Sequence, residues 1–405
     1  MHPTSLPTRV IFVRHGRSTY NEQGRYQGSS DQAVLTTDGQ RTARLVGQAL
    51  RSEKIDVVYA SPLKRVRQTA DVILDQLSND ALTIELRNDL REIDLPAWEG
   101  LPYQTVRTHQ ANDYRCWIER PHEFQMARFS PLESPLLHSN SAFDTPPMAT
   151  TAFYPVCDLY GRAQAFWQDV LPIQAGQTLL IVSHGGTIHA LISTALGLTP
   201  EQHHGLQQSN CGISVLEFSP ETNAAQLCQL NETAPLGETL PKLKAGKQGL
   251  RLLFLPVEGD TPLNDIPDVL ASVHLNFSLQ THGLINDFQT AQLLGDHRET
   301  VQLQVQRDDF IPAWQSTLNL RKQSNESLVT GLVIASPAKI QTLLTQIVSI
   351  APQRRELLAL TPGTISVVHF AESQPRPILQ GLNIHGHNRV VRSGGKHEHR
   401  LPIAV

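Results

Sequence analysis

The chain has 405 residues, with 34 Lys and Arg against 38 Asp and Glu, a formal charge of −4, 40% hydrophobic residues and four cysteines. That length predicts two or three domains, each able to bury its own core, and the near-neutral charge gives no general attraction to nucleic acid or anionic lipid, so neither is an expected partner. Cys116, Cys157, Cys211 and Cys228 show no C-x-x-C spacing, MHPTSLPTRVIFV does not read as a secretory leader, and no apolar run is long enough to span a bilayer, which together predict reduced thiols in the cytoplasm.

Residues 9–13, RVIFV, form a short β-branched run followed at once by Arg14-His15-Gly16, the pattern of a buried strand delivering a polar loop at its carboxyl end. The segment from Thr36 places Ala43, Val46, Leu50 and Ile55 at helical spacing, with Thr37 or Asp38 as its cap. A strand at 56–60, a helix at 64–77 and a strand at 83–86 follow, an alternation that predicts an α/β domain with a mainly parallel sheet. Residues 121–156 are rich in Pro, Ser, Thr and Phe without a period, and read as a long irregular insertion, a candidate lid over a site. Beyond it come an amphipathic helix at 158–171, a strand at 178–182, a helix from Thr187 to Leu196 and a strand at 212–218. The expected boundaries are a first domain at 1–235, a linker at 236–249, a second domain at 250–390 and a tail at 391–405; the basic, His-rich stretch from 385 onward reads as solvated.

The second domain is an internal copy of the first. Adding 152 to the residue number carries Thr178, Leu180, Ile188, Leu191, Pro200, Leu206, Ile213, Ser214, Val215 and Phe218 onto identical residues, ten matches in an ungapped span of 41. RVIFV at 9–13 likewise matches RLLFL at 251–255. The polar positions are not retained: His184 becomes Ser336 and Gly185 becomes Pro337. The copy keeps strand residues and loses candidate chemistry, so it is expected to keep a fold and no catalysis.

Arg14-His15-Gly16 sits at a predicted strand end, where open α/β sheets place ligands. Imidazole can attack phosphorus, guanidinium can hold phosphoryl oxygens, and glycine lets the backbone come close. One Arg-His-Gly is weak evidence. Ser183-His184-Gly185-Gly186 repeats the design between a strand and a helix N-terminus, which favours an anion. His189, one turn into that helix, reads as structural. SPLKRVRQTA at 61–70 offers Lys64, Arg65 and Arg67, and Arg65 and Arg67 point in different directions on a helix, so at most one faces a site. LREIDLPAWEGL at 90–101 supplies Glu92, Asp94 and Glu99 beside Trp98 as candidate proton donors to a leaving alkoxide.

Together and in this order, VRHGRSTYNEQGRYQG, SPLKRVRQTA, LREIDLPAWEGL and VSHGG resemble the histidine phosphatase superfamily in its metal-independent, phosphoglycerate mutase-like branch, closely over about 8–230 and in degenerate form over 250–385. The resemblance implies a three-layer α/β/α domain with a mainly parallel sheet, followed by a smaller degenerate copy of the same fold. It implies His15 as the nucleophile that becomes phosphohistidine, and Glu92 as proton donor to the leaving group and then base on water. Arg14, Arg65 and His184 would form the phosphate pocket, with Asn21 and Gly185 as further contacts. No metal ion or other cofactor is implied, and the chain has no dense carboxylate cluster of the kind that holds Mg²⁺.

Two positions depart from the mutase pattern. Arg17 stands where the family commonly has Glu, a cation that at a pocket rim would favour a multiply anionic substrate and that reads equally as a surface residue. Gly186 stands where mutases carry Asn, which tilts the reading to a phosphatase. The stretch 122–171 and the two-domain layout resemble the plant and cyanobacterial 2-carboxy-D-arabinitol-1-phosphatase group. The expected activity is hydrolysis of a small phosphorylated metabolite such as a carboxylated sugar phosphate. Phosphoserine phosphatase and phosphoglycerate mutase are the alternatives within the superfamily, and a non-catalytic phosphometabolite sensor is the alternative from another class. The second half is expected to give structural support or, next, a homodimer interface.

Overall fold

The computed structural model describes residues 6–131, 148–322 and 327–385, apart from 78, 80, 296, 298 and 299. The run at 9–13 is strand β1 (Thr8–Arg14), buried from Thr8 to Val13. Its side chains alternate between two cores, as the period of a strand requires. Val10 and Phe12 meet the helices Pro155–Ile173 and Gly185–Ala195 through Leu159, Phe166, Ile188 and Leu191. Ile11 and Val13 meet the helices Thr37–Ala49 and Lys64–Leu74 through Ala43, Val46, Val66 and Ile73. This gives the expected three-layer α/β/α domain.

The other strands in chain order are β2 (Val57–Ala60), β3 (Ile84–Leu86), β4 (Met126–Pro131), β5 (Met148–Phe153), β6 (Thr178–Ser183), β7 (Ile213–Phe218), β8 (Ala225–Glu232), β9 (Gly249–Pro256), β10 (Phe277–Thr281), β11 (Val301–Val305), β12 (Leu328–Ala335), β13 (Ile365–Phe370) and β14 (Ile378–Ile384). Twelve of them form a single sheet in the order β11-β10-β12-β9-β13-β14-β8-β7-β1-β6-β2-β3. Read outward from its centre, each half has the same order. β1 lies between parallel β6 and antiparallel β7, and β9 lies between parallel β12 and antiparallel β13. The second half is therefore a copy of the fold, with its site positions altered.

The same offset of 152 governs the junction. β8 and β14 pair antiparallel at Leu230 and Leu382. Leu206 bridges Leu379 while Leu227 bridges Leu358. Asn231 Nδ2 donates to the Gln380 carbonyl at 2.7 Å, and Asn383 Nδ2 donates to the Cys228 carbonyl at 2.7 Å. Both asparagines have left-handed backbone, φ 54° and 53°, where their short polar side chains are better tolerated than a branched one. Each of these contacts is turned into the other by exchanging the halves, so the chain contains a pseudo-two-fold axis running through the β8–β14 pair. One hydrophobic cluster crosses it, with Leu230 and Leu227 beside Leu379 and Leu382.

Two elements differ from expectation. The insertion at 121–156 is not wholly irregular: β4 and β5 pair antiparallel, Met126 opposite Phe153, and among the described residues they form a two-stranded sheet of their own. Their apolar residues show no alternation that local reading can use, and pairing across the insertion supplies the order. Strand β8, at 225–232, goes unanticipated between the predicted strand at 212–218 and the linker, although Ala225 and Leu227 alternate with less buried neighbours. The central part of the candidate lid, SAFDTPP included, and the tail beyond His385 lie outside the described residues. Between Leu236 and Gly249 the chain runs without helix or strand. Among the described residues no helix is long and apolar enough to cross a membrane.

Candidate active site

β1 and β6 lie in parallel register with Arg14 opposite Ser183, so each delivers its next residue, His15 or His184, to the same edge of the sheet. The two rings meet edge to face with centroids 5.3 Å apart. His15 is buried, and its Nδ1 lies 2.7 Å from the Gly16 carbonyl. A carbonyl can only accept, so Nδ1 carries the ring proton and the lone pair is left on Nε2. Burial first, then Arg65 and Arg14, push the His15 pKa well below the ordinary histidine range. The imidazole is thus neutral and a nucleophile without prior loss of a proton. Gly16 is required as well as permitted: a Cβ there would lie 2.5 Å from the Gly39 carbonyl oxygen, where the loop crosses the start of the helix Thr37–Ala49.

The cations around this ring are fixed by backbone carbonyls, leaving their charge available. Arg14 Nη1 donates to the Gln208 carbonyl at 2.8 Å. Arg65 is fully buried; Nη1 and Nη2 donate to the carbonyls of Ser30 and Gly28 at 3.0 and 2.9 Å. Arg67, two residues along the same helix, is exposed. His184 occupies the N-cap position of the helix Gly185–Ala195, and its Nε2 meets the Ser61 hydroxyl at 2.8 Å. Arg14 Nε, Arg65 Nε and His184 Nδ1 are buried and have no hydrogen-bond partner among the described residues. Such orphans are costly unless a ligand engages them. Asn21 accepts from Asn210 Nδ2 at 3.0 Å and from the Ser18 hydroxyl at 3.1 Å, on the cavity wall.

The three candidate carboxylates separate cleanly. Glu92 lines the cavity, and its carboxylate accepts from Gly186 N at 3.2 Å, Thr187 N at 3.1 Å and the Thr187 hydroxyl at 3.3 Å, at the positive end of the helix. Asp94 instead accepts from the Ser29 hydroxyl and pairs with Arg128. Glu99 accepts from Gly28 N at 2.8 Å and the Ser30 hydroxyl at 2.7 Å, holding the loop whose carbonyls hold Arg65. Trp98 stacks into an aromatic cluster with Tyr26, Trp117 and Phe124.

Gly186 has a structural reason beyond loop freedom. A Cβ on residue 186 would sit 2.6 Å from Glu92 Oε1. Gly186→Ala is therefore expected to displace the Glu92 carboxylate and to lower kcat by about 10- to 100-fold with little change in KM or thermal midpoint. Steady-state kinetics beside a melting curve check this; an unchanged kcat would show that Glu92 has no role in turnover. Gly185 also packs closely, its absent Cβ lying 3.2 Å from Arg14 Nε.

The cavity in front of His15 has a volume of about 360 Å³. Arg65 and His184 are not among the residues of its wall, although both are electrostatically coupled to His15 and the His184 ring packs against the His15 ring. Arg17 is outside the wall, exposed and paired with Glu22 at 3.8 Å, so it is a surface residue and no rim cation. His189, expected to be structural, lines the cavity with His203 and His204. His189 stacks on His203 with centroids 5.0 Å apart, and His204 Nε2 donates to the Trp117 carbonyl at 2.8 Å. Burial lowers the pKa of His189 to about 3 and of His204 to about 4. Among the described residues no group of three or more His, Cys, Asp or Glu is placed to hold a metal ion. Sequence reading also missed Lys244, Gln374 and Ile378, which reach the cavity from the linker and the second half. His203-His204 was legible as a pair; the others carry no local signal.

The family model described as histidine phosphatase superfamily (branch 1) matches residues 10–137 and 137–231, broken within the insertion. The chain belongs to the histidine phosphatase superfamily. This member is 32% identical over 294 residues to a probable 2-carboxy-D-arabinitol-1-phosphatase of Arabidopsis thaliana, covering 72% of this chain and 55% of that protein. It is 34% identical over 263 residues to a 2-carboxy-D-arabinitol-1-phosphatase of Triticum aestivum, covering 64% of this chain and 47% of that protein. The chain thus spans about half the length of these two relatives. Phosphoserine phosphatase 1 of Hydrogenobacter thermophilus is 29% identical over 230 residues, 57% of this chain and 95% of the relative.

Proposed function

We propose that this histidine phosphatase superfamily member is a metal-independent phosphomonoesterase acting through a phosphohistidine on a small phosphorylated metabolite, a carboxylated sugar phosphate of the kind exemplified by 2-carboxy-D-arabinitol 1-phosphate. The observation that carries the reading is the locked tautomer of His15, a neutral ring with its lone pair on Nε2 beside Arg14 and Arg65. Nε2 attacks phosphorus as the bond to the leaving oxygen breaks, and Glu92 gives that oxygen a proton. Glu92 then takes a proton from water, whose oxygen forms a bond to phosphorus as the phosphorus–nitrogen bond breaks. Phosphate leaves and His15 is regenerated. Arg14, on the cavity wall, holds the phosphoryl oxygens, and Arg65 and His184, outside that wall beside His15, would complete the phosphate pocket as the phosphoryl group is drawn onto the ring. Asn21 and the Gly185 backbone complete the pocket.

The second half is non-catalytic in this scheme, because Ser336 and Pro337 stand where His184 and Gly185 stand in the first half. The carboxylated substrate draws support from the two relatives named for it, and phosphoserine is the alternative supported by the third. A panel of 2-carboxy-D-arabinitol 1-phosphate, phosphoserine and 3-phosphoglycerate is expected to give a kcat/KM at least about tenfold higher for the first. A preference for phosphoserine would reassign the substrate. Conversion of 3-phosphoglycerate to 2-phosphoglycerate would make the protein a mutase, and binding without turnover of any compound would make it a sensor.

A further inference from the structure

The segment joining the two halves brings to the cavity a cation that the reaction above does not use. Lys244 lines the cavity, and its ammonium donates to the Gln208 carbonyl. The same oxygen accepts from Arg14 at 2.8 Å. Two cations therefore converge on one neutral acceptor. Among the described residues neither has a salt-bridged carboxylate: Glu238, the acidic group nearest in influence, is paired with Lys242 at 2.5 Å, and Glu92 is the one carboxylate in the cavity wall. Like charges held this close repel, and an anion between them relieves the repulsion. The protein packed around the ammonium, with Arg14 beside it, pushes the Lys244 pKa well below the ordinary lysine range.

The position of this lysine is built by both halves. Gln207 Nε2 donates to the Lys242 carbonyl at 2.9 Å. Buried Gln380 donates to Gln207 Oε1 at 3.1 Å and accepts from Arg251 Nε at 3.1 Å. Arg251 Nη2 donates to the Pro241 carbonyl at 2.8 Å, and the Ser373 hydroxyl donates to the Ala245 carbonyl at 2.7 Å. A satisfied network of this kind fixes the loop on either side of Lys244. Gln374 and Ile378 of the second half complete the adjoining wall.

We propose that Lys244 is a specificity residue that binds a second anionic group of the substrate, a carboxylate, while Arg14 and the two-histidine edge hold the phosphoryl group. The lone ammonium is a point charge that matches the single charge of a carboxylate and makes no demand for a forked, bidentate geometry. The second half thereby contributes to the site without catalysing, by holding the linker that carries the lysine. The inference rests on the phosphatase reading of the same cavity.

The test uses the 405-residue chain carrying His15→Ala, which cannot turn over, titrated calorimetrically with 3-phosphoglycerate and with glycerol 3-phosphate. These ligands differ only in a carboxylate against a hydroxymethyl group. The first is expected to bind about tenfold more tightly, a ratio that falls to about one when Lys244→Met is added and is largely restored by Lys244→Arg. Glycerol 3-phosphate should bind equally with and without Lys244→Met. An unchanged ratio, equal weakening of both ligands, or absence of saturable binding by 3-phosphoglycerate overturns the proposal. Hydrolysis of p-nitrophenyl phosphate by wild type, measured in parallel, judges the phosphatase reading separately, because that ester has no second anion.

Discussion

His15→Ala is expected to lower turnover of every phosphomonoester the protein hydrolyses by at least about 10³-fold, since a nucleophile cannot be replaced by its neighbours. It is also expected to abolish acid-labile phosphate on the chain after rapid quenching with labelled substrate. The fold should survive the change. The Gly16 carbonyl that loses the imidazole still lies within 3.3 Å of Asn210 Nδ2, and the vacated volume opens on the cavity. Circular dichroism and gel filtration check the fold, and the quench experiment checks the chemistry. Labelling that persists in the alanine variant would remove His15 from the reaction. His184→Ala gives a contrasting result: turnover falls while a labelled intermediate still forms on His15, because the nucleophilic ring itself is retained.

The second large effect is loss of stability in mild acid. Burial, reinforced by neighbouring cations or other histidines in most cases, lowers the pKa of His15, His184, His189, His203 and His204 in the folded chain. In the unfolded chain each returns to about 6.5. Below that pH the unfolded state binds more protons than the folded one, so unfolding free energy rises with pH up to about 6.5 and falls as pH drops beneath it. At pH 5.5 each such histidine costs up to about 1.4 kcal/mol relative to neutral pH, and five together cost several kcal/mol, a large share of a typical stability. Urea titrations at pH 7.5, 6.5 and 5.5 should show the midpoint falling steeply across the last interval. Stability that holds constant from 7.5 to 5.5 would mean that these rings are charged in the folded protein. His204→Gln should reduce the slope by about one proton, since Gln keeps a donor for the Trp117 carbonyl and does not titrate.

Much of the architecture was legible locally. The apolar runs of β1, β6 and β7 are flanked by Gly, Pro or polar loops, and their limits fall within a residue or so of the strands. The repeat was legible because strand residues are constrained by burial on two faces, so an inherited pattern survives in both copies. The insertion and β8 were not legible, because a strand at an edge or in a hairpin is stabilised by its partner, and its partner is chosen by the tertiary fold. Arg65 over Arg67 was partly decided by helix geometry. Glu92 over Asp94 and Glu99 was not decidable from spacing. All three stand within eight residues of each other, and the loop's path, anchored through Glu99 to Gly28 and Ser30, turns Glu92 alone into the cavity.

By itself the sequence determined that the chain is an α/β protein made of two related halves, that His15 and His184 each follow a strand end, and that the second copy lacks their equivalents. Those features live on single segments, where hydrophobic period, turn residues and motif order are written in consecutive positions. Only the tertiary structure decided the tautomer and neutrality of His15, which depend on the Gly16 carbonyl and on how deeply the ring is buried between Arg14 and Arg65. It also decided that the two halves share one sheet across β8 and β14, and that Lys244, more than two hundred residues from His15, faces the same cavity. Charge and hydrogen bonding act through space over a few ångströms, and the order of residues along a chain does not record that distance until the chain has folded.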